Sequence, residues 1–453
     1  MHYVVKKFYN ILPYFGKCVL ASLKGYSLKN LRYDKDTEQR IKKFISRKNW
    51  TEERWEEYQL EKLNLVLLNA RENVPFYKKY WDNKLAVQDG LEYRDITHWP
   101  IISKKDIQKN EELFLDRRIR KNDFYVDHTS GTTGTPINIY LSKEAVKNQY
   151  ALFYARVKNP YGIKLDDSWA IIGSQQVTDV KRKTPPYWVY NYAEKQLYLS
   201  ALHISHKNAK AYYLALIKYK PKYLIAYTYS VYYLAKYFLE RKLTYKLKAV
   251  ICNGEPVFDF QRRIIEQVFK CPTVNTYGQA ELVSYANQFP DGTMRVSPEM
   301  GYIEKIPIKG NPHYSKLVCT SLLNDGMVLI RYDTSDLISN NILEPIKAGF
   351  PIFPTVIGRD DDVVKLSNGR KIVQIDGVFT DDLGLIKGQI IQCEENLFHV
   401  KVVPISNWDY QKEETLINRL KKRIGDLTIK IRVCHDIPPE INGKFKVIKS
   451  YVK

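Results

Sequence analysis

The chain lacks the features that would mark several functional classes. Its 453 residues hold only six cysteines (Cys18, Cys252, Cys271, Cys319, Cys393 and Cys434), with no C-x-x-C pair among them. Scattered thiols of this kind make neither a disulfide framework nor a cysteine zinc site, and they fit reduced, buried side chains in a cytoplasmic protein. His203 and His206 have a spacing that a helix could place on one face, but a metal centre needs further ligands. No apolar run approaches the roughly 20 residues of a membrane span. The run Cys18-Val19-Leu20-Ala21 is short and Lys17 interrupts its upstream side, so no signal peptide is expected. No internal repeat or low-complexity segment stands out. Nor is there the Gly-Lys-Ser/Thr ending that a nucleoside-triphosphatase P-loop requires.

What is present is a globular balance, 44% hydrophobic and 27% charged. The 71 Lys plus Arg exceed the 50 Asp plus Glu, for a net charge of +21. Such an excess favours anionic partners, but it is spread along the chain and so gives an attraction rather than a site. The 35 tyrosines often stand beside lysine, as in Lys218-Tyr219-Lys220-Pro221-Lys222-Tyr223. Amphipathic elements with snorkelling lysines account for that pattern more simply than stacking on bases, so nucleic acid is not an expected partner. Residues 1–32 mix Lys and Arg with Tyr, Phe and Leu. That composition suits peripheral contact with a membrane surface, although a helix packed on the domain is the simpler expectation.

The hydrophobic pattern predicts a helix over 51–72, capped by Thr51 and ended by Pro75, and a short helix capped by Ser103. In the middle of the chain, strands and helices alternate. Tyr223–Tyr227, Leu247–Cys252 and Thr273–Thr276 read as strands, 230–241 and 257–269 as helices, which indicates βαβ units and a parallel sheet. Ligands bind beyond the carboxyl ends of such strands. Asn253-Gly254-Glu255-Pro256 and Tyr277-Gly278-Gln279-Ala280-Glu281 fall at that edge. Val328–Tyr332 reads as a further strand leading into Asp333-Thr334-Ser335-Asp336. Val356 to Asp362 changes texture and suits a linker. The roughly 90 residues that follow are enough for a small α+β domain, with strands at 363–366 and 398–403 and a helix at 411–424.

The densest signal is the stretch Thr129-Ser130-Gly131-Thr132-Thr133-Gly134-Thr135, which is filled entirely by glycine, serine and threonine. Glycines let several N–H groups converge on one point, and the hydroxyls add donors there, as a polyphosphate requires. The alternation in Ile137-Asn138-Ile139-Tyr140-Leu141 makes this a hairpin loop starting from Phe124-Tyr125-Val126, and by itself it is equally well a solvated turn.

The company it keeps is informative. Asn73-Val74-Pro75-Phe76-Tyr77, Pro100-Ile101-Ile102-Ser103-Lys104, Thr129–Pro136, Asn275–Glu281, Arg331–Asp336, Gly358-Arg359-Asp360-Asp361 and Gly443-Lys444 occur in this order. By these segments the chain resembles the adenylate-forming superfamily, and within it the phenylacetate–CoA ligase branch with its CapK-type and coenzyme F390 synthetase-like proteins. The resemblance spans most of the chain. It implies an α/β fold: a large N-terminal domain (residues 1–358) with parallel βαβ sheets, joined by a hinge to a small mobile α+β domain (residues 359–453).

The resemblance also implies an ATP- and Mg²⁺-dependent ligase that activates a small carboxylic acid. Transfer to coenzyme A would follow, or, as the alternative, to a sugar or cofactor acceptor in polysaccharide biosynthesis. Thr129, Ser130, Gly131, Thr132, Thr133 and Gly134 would cradle the phosphates, and Glu281 would hold Mg²⁺. Tyr277 and Gly278 would lie against adenine, with Gly254 and Glu255 lining the base pocket. Asp336 would receive the ribose hydroxyls, Arg359 would sit near ribose or phosphate, Asp361 would be the pivot, and Lys444 would reach the carboxylate and α-phosphate. The chain departs from the usual motifs at Ile137 (commonly Lys), Ala280 (Thr), Asp333 (Arg) and Ser335 (Gly).

Overall fold

Tyr223–Tyr227 is buried at every residue and lies between two parallel neighbours, Trp169–Gly173 and Val250–Asn253, in a computed structural model of the chain. A continuous apolar run is what a strand covered on both faces requires. The structure describes residues 9–85, 92, 94–129, 136–309, 311–341, 348–359, 364–366, 371–372, 375–425, 427–440 and 442–452. It resolves into two compact units. One gathers Met1–Tyr26, Asp166–Asn275 and Ile357–Lys453, and the other Ser27–Leu165 and Thr276–Val356.

In the first unit, the parallel sheet continues from Val250–Asn253 to Thr273, Val274 and Asn275 on one side. On the other side Trp169–Gly173 is followed by parallel Gln196–Ser200 and then by antiparallel Trp188–Asn191. The crossover helices are Thr228–Glu240 and Asp259–Phe269, as the alternating pattern predicts. Thr228–Glu240 is buried nearly all round, whereas Asp259–Phe269 buries only one side, through Phe260, Ile265, Val268 and Phe269.

The C-terminal segment of this unit has its own core. The strands Leu385–Glu394 and Leu397–Pro404 pair antiparallel, flanked by parallel Ile448–Ser450 and Thr428–Val433. Leu416, Leu420 and Ile424, spaced by four along the helix Tyr410–Ile424, are buried with Ile390, Phe398 and Val400. The Asp409 carboxylate caps this helix by accepting from the Lys412 N–H at 2.9 Å.

The second unit is built around Trp81, Trp99, Tyr77, Phe114 and the apolar residues of an antiparallel sheet formed by Gly301–Ile308, Asn311–Ser321 and Tyr332–Ser339. Thr51 caps the helix Glu52–Asn73, as expected. Pro75, however, opens a second helix, Pro75–Leu85, instead of leading into turns. Proline lacks only an N–H that a first helical turn leaves unpaired, so it is tolerated there. The hairpin is as expected: Tyr125–His128 pairs antiparallel with Asn138–Leu141. The strand expected at Val328–Tyr332 instead runs from Tyr332 to Ser339. Val356–Arg359, taken from the sequence as linker, is a strand, and Asp360, Asp361 and Asp362 lie outside the described residues.

Candidate active site

In the first unit the parallel strands finish at one edge, where Gly173 lies opposite Ser200 and Tyr227 opposite Asn253. The segment Gly443-Lys444-Phe445 is laid against that edge. Gly443 has φ +81, and a Cβ there would stand 3.2 Å from both the Ala201 Cβ and the Gly173 carbonyl oxygen. Only glycine allows so close a backbone approach. The Lys444 ammonium is 5.5 Å from the centroid of the Tyr227 ring. It also lies over Gly254 (φ +70), where an added Cβ would meet Nζ at 3.1 Å. Thus the turn after Val250–Asn253 and the sequence-predicted lysine meet, although 190 residues separate Glu255 from its partner Phe445.

Glu255 ties the two segments together. Its carboxylate accepts from the Phe445 N–H at 3.0 Å and from the Tyr229 N–H at 2.9 Å. The Thr228 hydroxyl donates to the Glu255 carbonyl at 3.1 Å. The residue is partly exposed, but its carboxylate is enclosed, and that desolvation pushes its pKa up to about 7 against the opposing pull of the two N–H groups and Lys444. The Phe445 ring packs on Tyr229 and Tyr233, at centroid distances of 5.6 and 5.3 Å.

A second cluster occupies the second unit. The Tyr277 hydroxyl donates to Asp336 at 2.5 Å, and its ring lies 4.8 Å from that of Phe353. Gln279 donates its amide N–H to the same phenol oxygen, and Ser284 donates to the Gln279 carbonyl at 2.9 Å. Four side chains therefore form one chain of donors ending on the Asp336 carboxylate. Burial and the adjacent Asp336 charge both hold the Tyr277 phenol protonated, far above its ordinary range. Glu281 is 8% exposed and accepts from the Tyr332 hydroxyl at 3.0 Å. It stands in a turn, not at the start of a helix. Gln279 and Tyr332 lie inside motifs and Phe445 directly follows one, but the sequence assigns none of the three a role.

The departures from the motif pattern have local explanations. Asp333, where arginine is common, pairs with Lys316 at 3.0 Å and accepts from the Ser335 N–H at 2.9 Å. Ser335 has φ +62, a conformation glycine adopts without steric cost. Arg331 is committed to structure: it pairs with Glu304 and donates to the carbonyls of Thr97 and Trp99. Ile137 is fully buried, and its N–H donates to the Thr129 hydroxyl oxygen at 3.1 Å while its carbonyl accepts from the Thr129 N–H. That pair closes the stem of the hairpin, and among the described residues no acceptor takes the Thr129 hydroxyl hydrogen. Ser130, Gly131, Thr132, Thr133 and Gly134, like Asp361, lie outside the described residues. Gly278 ends the strand Thr273–Gly278, and Arg359 ends Val356–Arg359, partly exposed. His203 and His206 do not converge. His203 stacks on Tyr187 and bonds to Ser200, whereas exposed His206 faces Glu240 and Arg241.

The chain is similar to known proteins over most of its length. A family model described as the CapK C-terminal domain matches residues 364–451. The chain is 25% identical to Protein CapK of Staphylococcus aureus over 467 residues, covering 98% of this chain and 99% of that one. It is 24% identical to the phenylacetate-coenzyme A ligase of Aromatoleum evansii over 335 residues, covering 68% and 70% respectively. Among solved structures, 2-hydroxyisobutyryl-CoA ligase in its postadenylation state with R3-HIB-AMP matches with a TM-score of 0.68 at 17% identity, covering 89% of this chain and 91% of that one. The same ligase with 2-HIB-AMP and CoA in the thioesterification state gives 0.54 at 17% identity, covering 89% and 92%. At this identity the likeness establishes the fold, mixed α/β with a large N-terminal and a small C-terminal domain.

Proposed function

We propose, for a chain that belongs to the adenylate-forming superfamily and to its CapK and phenylacetate–CoA ligase-like branch, that it condenses a carboxylic acid with ATP and passes the acyl group to coenzyme A. In the first step a carboxylate oxygen attacks the α-phosphorus, the bond to the bridging oxygen breaks, and pyrophosphate leaves. In the second, a thiolate attacks the acyl carbon and AMP leaves. Repulsion between anions opposes the first step, so a positive charge near the α-phosphate and donors on the phosphates are what the protein must supply.

The observation that carries this proposal is the seating of Lys444 on the carboxyl edge of the parallel strands, against Gly254 and Tyr227. That edge is where ligands of such sheets bind. Glu255 holds the segment there through the Phe445 N–H, so we assign it as an anchor for Lys444 beside its role at the base pocket. Tyr277 and Asp336 would receive adenine and ribose as a preassembled pair, with Gly254 and Gly278 giving the base close access and Arg359 near the ribose or phosphate. The loop from Thr129 to Gly134 would take the phosphates.

Magnesium that arrives with a triphosphate needs only one or two protein carboxylates, the rest being phosphate oxygen and water. Glu281, buried with one O–H donor, fits that demand, and among the described residues no larger cluster of ligating side chains competes with it. When bound, the ion neutralises phosphate charge. The small domain, residues 359–453, would turn about Asp361 between the two steps.

The test is pyrophosphate exchange into ATP, dependent on an added carboxylic acid, with hydroxylamine trapping across a panel of acids to find the substrate. Lys444→Ala should abolish exchange. Full exchange in that variant removes Lys444 from the chemistry. A second proposal concerns the acceptor. The match to Protein CapK runs end to end, while the match to the coenzyme A ligase of Aromatoleum evansii covers 68% of this chain. A sugar or cofactor hydroxyl or amine in place of coenzyme A is therefore the alternative, and measuring AMP and acyl product with and without coenzyme A separates the two.

A further inference from the structure

The helix Tyr14–Arg32 covers the edge strand Trp188–Asn191 with one face and turns a different one outward. Its inward contacts are specific. Cys18 is buried with Val177 and Val189, and its sulfur accepts from the Tyr190 N–H at 3.4 Å. The Ser22 hydroxyl oxygen accepts from the Tyr192 N–H at 2.9 Å, and the Tyr14 and Tyr219 hydroxyls are 2.6 Å apart. At Gly25 the approach is so close that a Cβ would overlap the Asn191 amide. The expectation of a helix packed on the domain therefore holds, and an edge strand is protected by it.

The outward face is apolar where a solvated helix would be polar. Phe15 is 74% exposed, Leu23 64% and Tyr26 63%, with Val19 also exposed. At 100° per residue these four fall within an arc of about 80°. Ile11, just before the helix, and Val180 are exposed too. The Asn10 amide bonds Asp179 at 3.3 Å, so the 179–183 loop lies at this end of the helix.

Charge around this face has one sign almost throughout. From residue 9 to residue 33 the sequence holds Lys17, Lys24, Lys29 and Arg32 and no Asp or Glu; Lys17 is buried, and Lys24 and Lys29 are exposed. Lys24, Lys181 and Lys183 are exposed, and Arg182 stands between the last two. The acids nearby are Asp179, which accepts from Asn10 and from the Lys181 N–H, and Glu194, near the Asn191 amide.

We propose that this face is an interfacial membrane site: the stripe Phe15, Val19, Leu23 and Tyr26 enters the headgroup region of an anionic bilayer, with Lys24 and the Lys181-Arg182-Lys183 loop on its phosphates. An apolar stripe alone would fit a second copy of the chain equally well. The basic rim decides against that, because two copies of a +21 chain repel one another and an anionic surface attracts both. No helix of the described residues is long and apolar enough to cross a membrane, so the contact is peripheral. Apolar insertion and headgroup attraction together are what stable peripheral binding needs.

The experiment is co-sedimentation of the full chain with vesicles of phosphatidylcholine alone and of phosphatidylcholine with phosphatidylglycerol. The expected result is binding to the anionic vesicles only, weakened by salt. The double variant F15S/L23S should reduce it at least tenfold, and K181E/K183E should reduce it and remove the salt dependence. Circular dichroism melting and carboxylate-dependent ATP–pyrophosphate exchange should be unchanged in both variants, so failure here is separable from failure of the ligase assignment. A single fluorophore on a Val19→Cys variant should shift to the blue on anionic vesicles, a readout independent of the double variants. Absence of binding to anionic vesicles overturns the proposal. So does binding that F15S/L23S leaves intact, or a wild-type dimer that F15S/L23S converts to a monomer.

Discussion

The Tyr277 hydroxyl donates a 2.5 Å hydrogen bond to the Asp336 carboxylate, across 59 residues of sequence. The ring expected against adenine and the acid expected on the ribose are thereby fixed relative to each other before any nucleotide arrives. Tyr277→Phe keeps the ring and removes the hydroxyl, which is both the donor to Asp336 and the acceptor of the Gln279 N–H. A hydrogen bond to a charged group contributes about 1.5–3 kcal/mol, so KM for ATP should rise about tenfold or more while kcat changes little. If Asp336 takes the ribose hydroxyls, wild type should prefer ATP over 2′,3′-dideoxy-ATP, and Asp336→Ala should lose that preference. An unchanged preference in Asp336→Ala would remove the ribose assignment.

Glu255 gives the protein a pH dependence of definite sign. Its carboxyl is raised from 4.5 to about 7 by desolvation. Between those values the folded chain holds a proton that the unfolded chain releases, so stability falls as pH rises through this window and levels off above it. A shift of this size corresponds to roughly 3 kcal/mol at most. Urea unfolding from pH 4.5 to 8 should therefore slope more steeply downward in wild type than in Glu255→Gln. Lys444 draws the carboxyl pKa down, so in Lys444→Ala the titration seen by carboxyl NMR should move above its wild-type midpoint. Matching slopes in wild type and Glu255→Gln would sink the argument.

Ser335 adopts φ +62 in the loop that carries Asp336, where a side chain costs about 1 kcal/mol. Ser335→Gly should stabilise the protein by about that amount in chemical denaturation and leave KM for ATP unchanged. A β-branched Ser335→Val should destabilise it by more, and KM should rise as Asp336 shifts. The Ser335 N–H bond to the Asp333 carboxylate is kept by glycine, so a neutral or destabilising Ser335→Gly would mean that the left-handed backbone here holds no strain for glycine to relieve.

Local chemistry was legible in the sequence where one rule dominates. Thr51 before the helix Glu52–Asn73, the buried run Tyr223–Tyr227 and the pairing of Tyr125–His128 with Asn138–Leu141 each follow from capping, burial or alternation. The run Val328-Leu329-Ile330 misled because it is buried without being a strand. Its N–H groups go instead to the Phe114 carbonyl and the Tyr77 hydroxyl, and Arg331, at φ +50, donates to the Thr320 hydroxyl before the strand begins at Tyr332. Those partners are distant in sequence, so no local pattern announces them. The site divides in the same way. Motif order pointed to Tyr277, Glu281, Asp336 and Lys444, but the bonds Tyr277–Asp336 and Glu255–Phe445 exist only once the chain has folded.

Gly254 offers the sharpest test of the Lys444 seat, because backbone strain and steric contact can be separated there. Gly254 and Gly292 both have positive φ, +70 and +86, so alanine at either should cost about 1 kcal/mol of stability. A Cβ at Gly292 meets nothing within 4 Å, whereas one at Gly254 meets the Lys444 amine at 3.1 Å and the Tyr227 ring at 3.4 Å. Gly254→Ala therefore pushes the Lys444 amine aside by a few tenths of an ångström, and since a misplacement of about 1 Å costs on the order of a hundredfold, this smaller one should cost roughly threefold to tenfold. ATP–pyrophosphate exchange should fall by about that factor in Gly254→Ala and hold in Gly292→Ala, while both variants unfold at similarly lowered denaturant. On the role proposed for Lys444 in adenylate formation, the Gly254→Ala chain should still hand the acyl group of a synthetic acyl-adenylate to its acceptor. Equal exchange in the two variants would mean that the amine over Gly254 has no part in adenylate formation.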